Sequence, residues 1–238
     1  MPNSIRHVFL DRPQKANALD SACLEKLRRD FVELRHDPEV HVVVLAGKGK
    51  TFCGGADIAE LKSLDAATGA RFVERIHEVC AAIRALPVPV IAQLHGAVIG
   101  AGLEIAAACD LRVAAVGTKF AMPEVKLGIP SVVEAALLPR LMGSGRAAWL
   151  VLTGEAIDAR RALEWGLVEE VYPDLEAGVA TLVKNLLAAD RGALGMQKQL
   201  LQLWEEASLA TSVTASIERF ATNLARATMP SGEKSPRY

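Results

Sequence analysis

At 238 residues, 51% of them hydrophobic and 23% charged, the chain is long enough to bury a sizeable core without disulfides or metals. Its formal net charge of -1, with no long run of one sign, argues against a general nucleic-acid binder while leaving room for a local basic pocket. No apolar run approaches the roughly 20 residues that span a bilayer, the four cysteines form no CxxC pair and the five histidines form no HxH or HxxxH spacing. A soluble, cytoplasmic protein with free thiols and no metal site is therefore expected.

In chain order, Ile5–Leu10 reads as a strand ending at Asp11-Arg12-Pro13. Asp20 can cap a helix from Ser21 to about Arg35, with Leu24, Leu27, Phe31 and Leu34 on one face. Val42-Val43-Val44-Leu45 is a buried strand closed by Gly47 and Gly49. A long helix from about Ala66 to Leu86 stops at Pro87 and Pro89, and Val90–Leu94 is the next strand. Gly100-Ala101-Gly102 opens a short helix ending near Cys109, and Leu111–Val116 is a further strand. This alternation predicts an α/β protein of stacked βαβ-type units with a partly parallel sheet. From Val132 onward the pattern is mostly helical, with one short strand at Leu167–Tyr172, and Pro230–Tyr238 reads as a disordered tail.

Three segments carry candidate chemistry. In Thr51-Phe52-Cys53-Gly54-Gly55-Ala56-Asp57-Ile58, two glycines after a strand can turn the backbone so that N–H groups face outward at a helix start, a nest for developing negative charge. An ordinary turn capped by Asp57 has the same signature. In His95–Asp110, small residues again lead into a helix, and Glu104 is an isolated carboxylate in an apolar stretch. Burying that charge costs several kcal/mol unless it is paired or protonated, so either a functional demand or a favourable place near a helix N-terminus accounts for it. Glu124 follows Pro123, and a helix, a strand and a turn between positions 104 and 124 could bring the two carboxylates face to face. Such a pair can hold a water and divide proton donation from abstraction.

Taken in this order, the three segments resemble the enoyl-CoA hydratase/isomerase, or crotonase, family. Leu10-Asp11-Arg12-Pro13 with Asn17-Ala18-Leu19, Val151-Leu152-Thr153-Gly154, and Ala162–Val168 extend the resemblance over roughly residues 8 to 190. It implies a crotonase-like fold of stacked ββα/βαβ units in a spiral core over residues 1–190, followed by a C-terminal helical oligomerisation segment at 191–229. It implies an acyl-CoA substrate whose thioester oxygen lies between the backbone N–H groups of Ala56 and Ala101. Asn17, Ala18, Gly54, Asp57 and Ile58 match stretches that line the coenzyme A pocket, and Glu104 and Glu124 fall on the two positions hydratases fill with glutamate. It implies no cofactor beyond the coenzyme A of the substrate, and a homotrimer or dimer of trimers. Hydration of a 2-enoyl-CoA, or the reverse dehydration, is the reaction expected, with double-bond isomerisation or another crotonase-type acyl-CoA reaction as the alternative and a non-catalytic family member as a more distant one.

The sequence departs from the family pattern in places. Hydratases usually have three glycines where Gly100-Ala101-Gly102 stands, and a glycine-rich run where this chain has Ser131-Val132-Val133-Glu134-Ala135. There is one residue fewer between Gly128 and Pro130. Glu134 thus adds a third carboxylate near the site, either addressing the acyl carbons or paired elsewhere as a polar helix position. The chain is also shorter at both ends than is general in the family, which bears on coenzyme A affinity and assembly. A C-terminal helix from about Leu194 to Thr228 is expected.

Overall fold

The computed structural model describes residues 4–228, with side chains through 224; the tail expected at 230–238 lies outside the described residues. Two compact units divide between Gly195 and Met196.

The first unit is built on a five-stranded, all-parallel sheet in the order β1-β2-β3-β5-β8. Its strands are β1 (Ile5–Leu10), β2 (Val42–Gly47), β3 (Val90–Leu94), β5 (Leu111–Ala115) and β8 (Glu170–Tyr172). A second, three-stranded sheet holds β4 (Ala97–Ile99), β6 (Lys119–Ala121) and β7 (Ile157–Asp158), with β4 parallel and β7 antiparallel to β6. The helices are α1 (Ser21–Leu34), α2 (Ile58–Leu61), α3 (Ala66–Arg84), α4 (Ala101–Ala108), α5 (Leu138–Met142), α6 (Ser144–Thr153), α7 (Ala159–Trp165), α8 (Leu175–Leu187), α9 (Arg191–Glu206) and α10 (Leu209–Thr228). Short 3₁₀ turns occupy Pro123–Leu127 and Val133–Leu137.

The continuous apolar run of β2 is explained by burial on both faces, the signature of a covered parallel sheet. Val43 and Leu45 join the main core with Leu24, Leu27 and Phe31 of α1 and Phe72, Ile76 and Val79 of α3. Val42 and Val44 face the other way, against Val179 and Val183 of α8. Caps fix where the helices begin: Asp20 Oδ1 accepts from Cys23 N (2.8 Å), and Asp65 and Thr68 close a reciprocal capping box on α3.

The stacking follows from the register. Each turn of the chain lays one strand on the large sheet and then one short extended segment on the second layer. β1 is followed by Leu19, β2 by Cys53 and Ala56, β3 by β4, and β5 by β6. Isolated parallel bridges, Leu19 to Ala56 and Cys53 to Val98, tie the first three turns together, and Val98 pairs with Phe120 in the fourth. The short strands of this second layer had no legible signal in the sequence.

The second unit contains the end of α9 and all of α10. The single helix expected from about Leu194 to Thr228 is instead two helices, and the first begins earlier, at Arg191, where Asp190 Oδ1 accepts from Ala193 N (2.8 Å). The break falls at Ala207 and Ser208, because the Ser208 hydroxyl accepts from Thr211 N (3.2 Å) and starts a new helix. Trp204 Nε1 donates to Ser216 Oγ (3.1 Å), joining α9 to α10. No helix among the described residues is long and apolar enough to cross a membrane.

Candidate active site

The second layer sets the site by counting residues. Cys53 and Val98 are bridged in register, and Ala56 and Ala101 each lie three residues beyond that pair. The two alanines therefore occupy equivalent positions on neighbouring turns. The bridge from Leu19 to Ala56 uses the Gly55 carbonyl and the Asp57 N–H, each at 2.8 Å, which leaves the Ala56 N–H outside the ladder. Ala101 is the first residue of α4, where an N–H has no acceptor within its own helix. Both alanines line a cavity of about 550 Å³ together with Gly54, Ile58, Glu104 and Glu124.

Glycine is required beside these amides. Gly100 has φ +50°, and a Cβ there would run into Glu124 Oε1, so the bare backbone lets the carboxylate sit over the start of α4. At Gly102 a Cβ would lie 2.5 Å from the Cβ of Cys53. Ala101, between them, accommodates its methyl group and keeps its N–H.

The two carboxylates sit in unlike surroundings. Glu104, in the first turn of α4, is 4% exposed, and its Oε1 accepts from Ala135 N at 3.2 Å. Burial and then the charge of Glu124 push its carboxyl up to about 8, outweighing the Ala135 amide, which favours the anion. Glu124, in the 3₁₀ turn after β6, is half-buried, and its Oε2 accepts from the Ser131 hydroxyl at 2.9 Å. Ser131 was not singled out by the sequence. Its position seven residues after Glu124, across Pro130, gave no period that would place it there. Cys53 lies behind the alanine amides, but burial pushes its thiol up to about 12, which removes it as a nucleophile at neutral pH.

The remaining sequence candidates divide. Gly54 and Ile58 line the main cavity, as above. Asn17 and Ala18 do not; they line a separate cleft of about 200 Å³ with Asp11 and Arg12. The Asn17 amide is consumed internally: Oδ1 accepts from Arg12 N (2.8 Å), and Nδ2 donates to the Lys48 (2.9 Å) and Thr51 (2.6 Å) carbonyls. Its side chain thus laces the 12–20 and 48–57 loops together. The Asp57 carboxylate caps α2 through Ala59 N (2.9 Å) and meets Arg12 at 3.3 Å, so it too holds the loop. Glu134 does not line the cavity either. It is buried, with Oε1 2.7 Å from His77 Nδ1. Of the two readings left open for it, pairing elsewhere is the one its position favours, because the 3₁₀ turn at Val133–Leu137 aims it at α3.

The sequence profile of the enoyl-CoA hydratase/isomerase family matches residues 1–234. The chain belongs to that family. A short-chain-enoyl-CoA hydratase of Clostridium acetobutylicum is 35% identical over 90% of this chain and 83% of its own length. A crotonyl-CoA hydratase of Syntrophomonas wolfei is 35% identical over 80% of this chain and 75% of its own. The crystal structure of an enoyl-CoA hydratase from Mycobacterium smegmatis superposes with a TM-score of 0.91 at 32% identity, covering 96% of this chain and 89% of that one. The stacked units followed by helices are accordingly the crotonase fold, as the sequence predicted.

Proposed function

We propose that this member of the enoyl-CoA hydratase/isomerase family adds water to 2-enoyl-CoA thioesters and catalyses the reverse dehydration. The observation that carries the reading is one cavity lined by two carboxylates in unlike surroundings, beside two main-chain amides that lie outside the strand ladder and at the first turn of a helix. The relatives named for enoyl-CoA and crotonyl-CoA hydration support the same choice.

In this mechanism the thioester oxygen lies between the N–H groups of Ala56 and Ala101. Those donors stabilise the charge that gathers there as the double bond is attacked, a preorganised effect worth about 3 kcal/mol per donor. Glu124, held as an acceptor by Ser131, takes a proton from water while the water oxygen bonds to C3. The π electrons of the 2,3 bond move onto the thioester as an enolate. Glu104, protonated at neutral pH, then delivers its proton to C2, and a proton passing from Glu124 to Glu104 resets the pair. The chemistry uses no group beyond these side chains, the backbone and the substrate.

Isomerisation by a carboxylate shuttle from Glu134 is the rival reading, and the placement of Glu134 away from the cavity weighs against it. The assay separates the two. In ¹⁸O-labelled water, a panel of 2-enoyl-CoA substrates should lose enone absorbance and yield labelled 3-hydroxyacyl products. Glu104→Gln and Glu124→Gln should each lower kcat by about 10²-fold or more. Gain of absorbance from a 3-enoyl-CoA without label uptake, abolished by Glu134→Gln, would overturn the hydratase reading.

A further inference from the structure

Glu134 is a costly residue that the mechanism leaves unused. It is 8% exposed, its Oε1 is held by His77, and among the described residues its Oε2 has no hydrogen-bond partner. A buried carboxylate oxygen left unsatisfied costs about 1–3 kcal/mol or more, so its position calls for a reason. The backbone supplies one. The residue that follows it, Ala135, donates its N–H to Glu104 Oε1, so the Glu134–Ala135 segment is the wall against which Glu104 rests. His77, with a side chain 58% exposed on α3, links that wall to solvent.

We propose that His77 and Glu134 form an electrostatic backing for Glu104, set on the side away from the cavity, which governs how readily Glu104 releases its proton. This rests on the reading of Glu104 as the acid. Glu134 is a positioning residue in this scheme, since it lies outside the cavity. Its negative charge opposes ionisation of Glu104, adding to burial and to the charge of Glu124. The hydrogen bond with His77 draws off part of that charge. Other titratable groups surround the turn. On α3, Cys80 is fully buried, and burial, then Glu134 and Glu104, drive its thiol well above the ordinary range, so it stays neutral. Cys109, at the end of α4, is buried as well, Glu124 faces Glu104 from the cavity, and Arg140 of α5 is exposed.

The two members of the couple therefore act on Glu104 in opposite senses, which a merely structural pair would not do. The test is infrared titration of the ligand-free protein, following the protonated-carboxyl band that Glu104→Gln removes. In Glu134→Gln the midpoint of that band should fall by roughly half a pH unit or more, because a like charge is gone. In His77→Gln it should rise, because the imidazole hydrogen bond no longer draws off part of the Glu134 charge. Opposite shifts support the proposal; unmoved midpoints, or shifts of the same sign, overturn it. If Glu134→Gln does not fold, His77→Gln decides alone, since its site is largely exposed: a rise supports, no rise overturns. Absence of any band removed by Glu104→Gln would refute the assignment of Glu104 as the acid, a result distinct from failure of the couple.

Discussion

Replacing Glu104 by Gln should make the protein more stable at alkaline pH while leaving its stability nearly unchanged in acid. The glutamate has an ordinary value of 4.5, and in the fold it is pushed up to about 8, first by burial and then by Glu124. A carboxyl raised in the native state binds its proton more tightly there than in the unfolded chain. Stability linked to it is complete below pH 4.5 and is lost as pH rises toward 8, where the folded group finally ionises. At about 1.4 kcal/mol for each pH unit across that gap, the loss reaches about 3 kcal/mol at pH 7 and levels off near about 5 kcal/mol above pH 8. Glutamine keeps an oxygen for the Ala135 amide and never ionises, so it escapes this loss. Urea unfolding of both proteins at one protein concentration, from pH 4.5 to 9, gives the comparison directly. Two stability curves that run parallel over this range would refute the argument that Glu104 is buried with its proton.

Three further outcomes follow from the site. Ala101→Pro should abolish turnover of the best 2-enoyl-CoA by deleting an N–H at the start of α4, a position where proline is otherwise tolerated, whereas Ala101→Gly should retain it; kcat of the two variants decides. Val133→Gly should be near neutral in urea unfolding, because Val133 has φ +39°, strained for a β-branched residue, while Val44→Gly in β2 should cost about 3 kcal/mol or more. Gly69 lines the cavity from the first turn of α3, and a Cβ there meets nothing within 4 Å, so a larger side chain has open cavity to enter. Gly69→Leu should therefore lower kcat/KM for a decenoyl-CoA by about tenfold or more relative to crotonyl-CoA, through lost room of a few methylenes.

What the sequence made legible was governed by how locally each feature is determined. Ile5–Leu10 and Val90–Leu94 appear with the bounds expected: in the first, buried Val8 and Leu10 alternate with exposed His7 and Phe9 up to Asp11, and the second is a mostly buried apolar run beginning directly after Pro89, so neither needs distant information. The second layer was hidden, because Ala97–Ile99 and Ile157–Asp158 are too short to show a period and exist only through their pairing. Glu104 and Glu124 stood out as carboxylates out of place in apolar or proline-bounded surroundings. The direction of Glu134 did not, because a 3₁₀ turn in a segment with a positive-φ valine follows neither helical nor strand spacing. Val133 is itself informative on this point: where the family usually has glycines, its backbone keeps a conformation suited to glycine. The break before α10 had a local signal, a serine at 208 followed three residues later by Thr211, but the apolar period running across it masked the cap.

The in-step placement of Ala56 and Ala101, each three residues past a bridged pair, has a consequence for how this protein can change length. On the proposed mechanism, the two amides that converge on one oxygen are specified by the number of peptide units since the last inter-turn bridge, and the alanine side chains take no part. A single residue inserted or removed between 53 and 56, or between 98 and 101, would rotate one donor out of the cavity even if every side chain kept its chemical character. The connection at 154–156, between α6 and β7, bears no such count and can be lengthened without disturbing it. On that mechanism the fingerprint of the site is metrical: a gap at 53–56 or 98–101 would destroy it, while substitution there at constant spacing would keep it.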